Sequence, residues 1–156
     1  MNSSPTTAIT FIAELPKPPT VTAQDHHRVS VSKHGKISVY RDSKLQNARQ
    51  ILERAFIAYA PETPLEGPLN VTIGLYYPYR QKDKAAAKTG SAVWKVTRPD
   101  LDNSAKEIMD SLMSCGFFAD DSYVVSLHLY KQYYKMTGIF VSIKPAEPIK
   151  PPKENE

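Results

Sequence analysis

The chain has 156 residues, is 41% hydrophobic and 23% charged, and carries a net charge of +4, which suits one soluble domain with its own core and leans towards an anionic partner. Its single cysteine, Cys115, excludes an intrachain disulfide and a cysteine-cluster zinc site. No apolar run is long enough to span a membrane, and no basic segment followed by an apolar block opens the chain.

Residues 1–7 are polar and read as a disordered N-terminus, leaving a domain over residues 8–144. Branched and aromatic side chains over 8–15 predict a strand, stopped by Pro16, Pro18 and Pro19. Residues 20–34 read as a polar loop with a short strand over 29–32. His26 and His27 are adjacent, so they cannot face one way, and an exposed loop is expected there. Arg28, Lys33, His34 and Lys36 make that region a candidate phosphate contact. Gly35 marks a turn before a short strand over 36–40. Leu45, Ala48, Leu52, Ala55, Phe56 and Tyr59 recur at helical spacing and predict a helix from an N-cap at Ser43 to about Tyr59, ended by Pro61. Leu69, Val71, Ile73 and Leu75 then alternate as a strand does, over residues 69–77.

Residues 78–98 read as a long loop that Gly90 and Ser91 make flexible. They carry Arg80, Lys82, Lys84, Lys88, Lys95 and Arg98 against one acid, Asp83. A phosphate backbone is bound by such arrays, because each neutralised phosphate releases counterions; a solvated surface loop has the same composition. The position of the run, directly before a cluster of aspartates, favours DNA binding. Trp94 could stack on a base but is expected to anchor the core. Residues 122–134 are strongly β-prone, Met136-Thr137-Gly138 reads as a turn, and Ile139, Val141 and Ile143 return, so a C-terminal hairpin is expected. Residues 145–156 are rich in proline and charge and read as a disordered tail.

The stretch from Arg98 to Asp121 holds the chemistry. Leu101, Ala105, Ile108, Met109, Leu112 and Met113 form one apolar helix face, Asp100 suits the N-cap and Gly116 the stop. On a purely structural reading Asp100 caps, Asp102 complements the helix dipole, and Lys106 pairs with Asp102 and Asp110 at i,i+4. That uses one or two acids, yet Asp120 and Asp121 follow the helix as well. They could be turn residues. A helix–turn–strand return could also bring them near the other acids, and clustered carboxylates need a cation between them. Hard oxygen ligands suit Mg²⁺, and a nearby lysine suits a phosphoryl-transfer site.

Arg98-Pro99-Asp100-Leu101-Asp102-Asn103, then Lys106, Asp110, Gly116-Phe117 and Asp120-Asp121 before Val124-Val125, resembles the signature of the RusA family of Holliday-junction resolvases, often carried by phages and prophages. Weaker similarity extends to Pro16-Lys17-Pro18-Pro19 and to residues 35–42. The resemblance implies an α+β fold, a small mixed β-sheet packed with two main helices, in a homodimer with one active site per subunit. It implies Mg²⁺-dependent (Mn²⁺ as the alternative), paired symmetrical nicking of four-way DNA in recombination and repair, inside a bacterial or phage-infected cell, in the cytoplasm and away from membranes. Carried over by position, Asp100, Asp102 and Asp121 would be the essential acids and metal ligands, Lys106 their catalytic partner, Asp120 an accessory metal acid and Asp110 a support. The loop after Pro19 lacks the expected asparagine-rich pattern and the basic stretch before Arg98 is longer, so DNA selectivity is where this chain departs. A non-catalytic branched-DNA-binding protein and a flap or general DNA nuclease share the same surface or the same metal chemistry.

Overall fold

A computed structural model describes residues 8–20, 28–40 and 43–150. The expectations for residues 1–7, for the His26-His27 loop, for the N-cap position of the first helix and for the tail over 151–156 lie outside the described residues. In chain order the elements are β1 (Ile9–Glu14), β2 (Arg28–Val31), β3 (Ile37–Tyr40), α1 (Ser43–Phe56), β4 (Leu69–Tyr77), α2 (Lys84–Thr89), β5 (Val93–Trp94), α3 (Leu101–Ser114), β6 (Val124–Tyr133) and β7 (Gly138–Pro145). Single 3₁₀ turns at Ile57–Tyr59, Gln81–Asp83 and Asp121–Tyr123 join some of them. The class is α+β, as expected.

β4 is buried at Leu69, Val71, Ile73, Leu75 and Tyr77 on one face, and at Gly74 and Tyr76 on the other. A strand buried on both faces belongs in the middle of a sheet. The five-stranded sheet accordingly runs β1-β7-β4-β6-β5, with β4 parallel to β6 and antiparallel to β7. This corrects the expected C-terminal hairpin. β6 and β7 do not pair with each other; they flank β4, and the chain crosses its end, where the Tyr134 N–H donates to the Tyr77 carbonyl. Alternation identifies both segments as strands but cannot say which strand each one meets. β2 and β3 form a separate two-stranded ribbon.

α1 and α3 bring Leu52, Phe56, Ile108 and Leu112 onto the Val71–Ile73–Leu75 face, where Phe117 and Phe118 complete the core. Register puts Leu127, Leu129, Lys131 and Tyr133 of β6 on that same face. Asn70, Thr72, Gly74 and Tyr76 of β4 share the other face with Ser126, His128, Tyr130 and Gln132.

The basic stretch is more ordered than a loop. Ala85, Ala86 and Ala87 are strong helix formers and build α2, and β5 then pairs with β6. Gly90 ends α2 rather than loosening the chain, and the Ser91 N–H donates to Ala86. At the C-terminus β7 runs to Pro145, one residue beyond the expected boundary, and the Ala146 N–H donates to the Pro68 carbonyl at 2.8 Å.

The β1–β7 pairing depends on Gly138. Its φ is +136°, and a Cβ there would strike the Ala13 carbonyl. Gly138→Ala is expected to lower stability by about 2 kcal/mol or more, as backbone strain and overpacking do. Thermal unfolding of the two proteins side by side reads this, and an unchanged midpoint would contradict the register.

Candidate active site

α3 begins after a cis Arg98-Pro99 bond. Asp100 occupies the N-cap in extended geometry (φ −73°, ψ 146°), yet its side chain makes no capping hydrogen bond. Only its backbone serves the helix: the carbonyl accepts from the Ser104 N–H at 3.4 Å and the Ser104 hydroxyl at 3.3 Å. The carboxylate is exposed and left over. Asp102, in the first turn, and Lys106, one turn on, are exposed as well, while Ser104, Ala105, Glu107, Ile108, Ser111 and Leu112 face the interior. The i,i+4 pairs of the purely structural reading do not form. Ion pairs form elsewhere, at Arg49–Glu53 and Arg80–Asp83 among others. Two carboxylates and one ammonium therefore stand uncommitted at the start of a buried helix, a donor set of hard oxygens beside a cation.

What holds that helix start is a lysine the sequence reading overlooked. Lys131 lies on the core face of β6, and its Nζ donates to the carbonyls of Thr97, at 2.8 Å, and Pro99. The Thr97 hydroxyl meets the Tyr133 hydroxyl at 3.2 Å, and Lys95 Nζ donates to Thr97 Oγ1 at 2.7 Å. Burial pushes the Tyr133 hydroxyl up, but its bonds to Thr97 and Lys95 and the charges of Lys95 and Arg80 outweigh that and leave it below the usual tyrosine value. The signal was present: a lysine alternating with Leu127, Leu129 and Tyr133 must find a polar partner on an inward face.

Asp120 and Asp121 lie at the opposite end of α3. The chain leaves the helix through Phe117, whose carbonyl accepts from the Leu65 N–H at 2.9 Å, and enters β6 beside Leu69, the first residue of β4. Lys131, which touches the start of α3, pairs with Leu75, near the other end of β4. α3 and β6 are thus antiparallel neighbours. The helix's 14 residues rise about 1.5 Å each, so its two ends stand about 20 Å apart. The return expected to unite the acids within one chain does not do so. Among the described residues no three histidine, cysteine or acidic side chains are grouped closely enough to hold a metal ion. Asp120 accepts from the Ser122 N–H at 2.8 Å, and Ser122 holds its carboxyl below the usual range; Asp121 is exposed.

Residues 16–144 match the family described as Endodeoxyribonuclease RusA. The chain belongs to the RusA endodeoxyribonuclease family. It is 29% identical over 128 residues to the uncharacterized protein YqaN of Bacillus subtilis (strain 168), covering 78% of this chain and 88% of that one. It is 33% identical over 64 residues to the crossover junction endodeoxyribonuclease rusA of Lactococcus phage r1t, covering 41% of this chain and 44% of the phage protein. This RusA-family chain is therefore a nuclease, and among its described residues no helix is long and apolar enough to cross a membrane.

The basic residues of this RusA-family chain divide in two. Arg80 is committed to the fold. Its guanidinium grips Asp83 at 2.7 and 2.9 Å and lies 3.9 Å from the centre of the Tyr133 ring. Lys95 lies over the Tyr77 ring, 4.8 Å from its centre. Lys82, Lys84, Lys88 and Arg98 are exposed. Trp94 is not a core anchor: it is 67% exposed, because β5 is the sheet's edge and turns it to the face opposite the helices, alongside Gln132.

The fork from Arg80 holds the Asp83 carboxyl below the usual carboxylate range. A depressed folded-state pKa contributes stability that is present above the unfolded value, about pH 4, and is lost as pH falls through the folded value. Asp83→Asn is expected to unfold at lower urea than the native chain near neutral pH, with the two midpoints converging in strong acid. A gap that persists in strong acid would contradict the ion-pair account.

Proposed function

We propose that the protein is a structure-selective, Mg²⁺-dependent endonuclease that resolves four-way DNA junctions by paired nicking, working as a homodimer. The observation that carries the reading is the pair of exposed carboxylates, Asp100 and Asp102, left uncommitted at the start of α3 in a chain of this nuclease family. Mg²⁺ needs only one or two protein carboxylates beside its waters, and Mn²⁺ accepts the same oxygens. Bound there, the ion would supply a water of lowered pKa and a Lewis acid for the phosphate. Asp100 and Asp102 would hold it. Lys106, one turn along the same helix, balances charge on the phosphate. Lys82, Lys84, Lys88 and Arg98 attract the backbone, with Lys95 and Arg80 buttressing the surface they project from.

Asp121 enters through the second subunit. Within one chain it stands a helix length from Asp100. A two-fold axis that sets two α3 helices side by side and antiparallel apposes the Asp121 end of one protomer to the Asp100 end of its partner, twice over. In that arrangement Asp121 would have a metal to bind, with Asp120 stiffening its turn. The phage relative, named as a crossover junction endodeoxyribonuclease, supports the choice of substrate. Two equivalent sites suit two equivalent strands of a junction, in the cytoplasm of a bacterial or phage-infected cell.

Gel analysis of an end-labelled four-way junction tests this, with paired symmetrical nicks expected only when Mg²⁺ is added. Asp102→Asn should reduce cutting to background while leaving junction binding intact. Equal cutting of a flap or a linear duplex would make it a general nuclease. Binding without any cutting would leave a DNA-binding protein, and full activity of Asp102→Asn would overturn the site.

A further inference from the structure

We propose that Trp94 and the groove beside it form a stacking site for one unpaired nucleotide base of the DNA substrate; the choice of substrate rests on the junction-cutting reading above. Trp94 and Val96 are 67% and 87% exposed, a poor use of large apolar side chains in an unliganded surface. The groove they edge has a volume of about 410 Å³, and Leu101, Leu129 and Tyr130 supply its other apolar walls. That volume is in the range of sites for small ligands, about 300–1,000 Å³. Its charged lining residues are Lys95 and Lys131, and no carboxylate lines it. An apolar slot with an exposed indole and two lysines in its lining fits a nucleotide, whose base is flat and whose backbone is anionic.

The indole is held ready. Its ring meets Tyr130 edge-on, with centroids 6.4 Å apart at 86°. Tyr130 is fixed in turn: its hydroxyl is 2.7 Å from that of Tyr76, and its ring lies so close over Gly74 that no Cβ would fit between them. Tyr76 stacks on Phe140 at 6.4 Å. The Tyr130 hydroxyl is pushed well above the usual tyrosine value, by burial first and by the bond to Tyr76, so the ladder stays neutral. Lys131 couples this site to the acids, because it lines the groove and also holds the Thr97 and Pro99 carbonyls. Leu101, in the groove wall, directly follows Asp100. A base in the groove thus has its own phosphates beside the start of α3. A four-way junction supplies such a base where pairing fails at the branch point.

Trp94 is the only tryptophan, so its emission reports this site alone. The full chain is titrated, without divalent metal, with a four-way junction and separately with a single-stranded oligothymidylate. Both are expected to quench the emission. Trp94→Ala should bind the junction on the order of tenfold more weakly, with most of the affinity restored in Trp94→Phe. Emission unmoved by either DNA, or Trp94→Ala binding and cutting like the native chain, overturns the proposal. So does blue-shifted emission that depends on protein concentration and ignores DNA, since a second copy then covers the groove. If the native chain neither binds nor cuts the junction while oligothymidylate still quenches, the stacking site stands and the junction-cutting reading falls.

Discussion

β4 buries side chains on both of its faces, so it has to lie between two other strands, and nearly everything about the site follows from which two they are. β6 lies on one side and β7 on the other; β6 runs parallel to β4, and a parallel partner is reached only through a long crossover. α3 is part of that crossover. It packs Ile108 and Leu112 on the sheet and descends antiparallel to β6. The acids before the helix and the acids after it are thereby sent to opposite ends of the domain. A burial requirement in one strand thus sets the distance between carboxylates that sit on neither face of it.

The second constraint is electrostatic and local. A lysine on the core side of β6 cannot stay without partners, and the carbonyls of Thr97 and Pro99 take its ammonium. Backbone that would otherwise be a free linker between β5 and α3 becomes rigid. That ties the backbone leading into Asp100 to β6, the strand that also pairs with the edge carrying Trp94. A carboxylate meant for a ligand is best placed by backbone and neighbours rather than by bonds of its own, and Asp100 has that character: it caps with its main chain and keeps its side chain free.

Much of this was legible in the sequence. Periodicity located α1, α3 and the strands other than β5, because apolar faces repeat with the period of the element. The helix-start carboxylates could be singled out because one cap and one dipole partner do not need so many acids. Pairing was not legible, since alternation marks a strand without naming its neighbour, and the expected β6–β7 hairpin was therefore wrong. α2 was hidden in a run judged by its charges rather than by Ala85, Ala86 and Ala87. Trp94 was assigned to the core on the general habit of tryptophan, which an edge strand of two residues does not honour. The separation of Asp100 from Asp121 depends on the direction of α3 relative to β6, a tertiary fact that no local pattern encodes.

The central claim is that each active site draws Asp100 and Asp102 from one protomer and Asp121 from its partner. Mixing two inactive variants, Asp102→Asn and Asp121→Asn, and allowing subunits to exchange tests it directly. In a mixed dimer one site carries both substitutions and the other carries neither, so the account predicts that junction nicking returns in the mixture while each variant alone stays silent. If exchange is verified by tagged subunits and the mixture stays as inactive as its parents, the acids act within one chain and the account is contradicted.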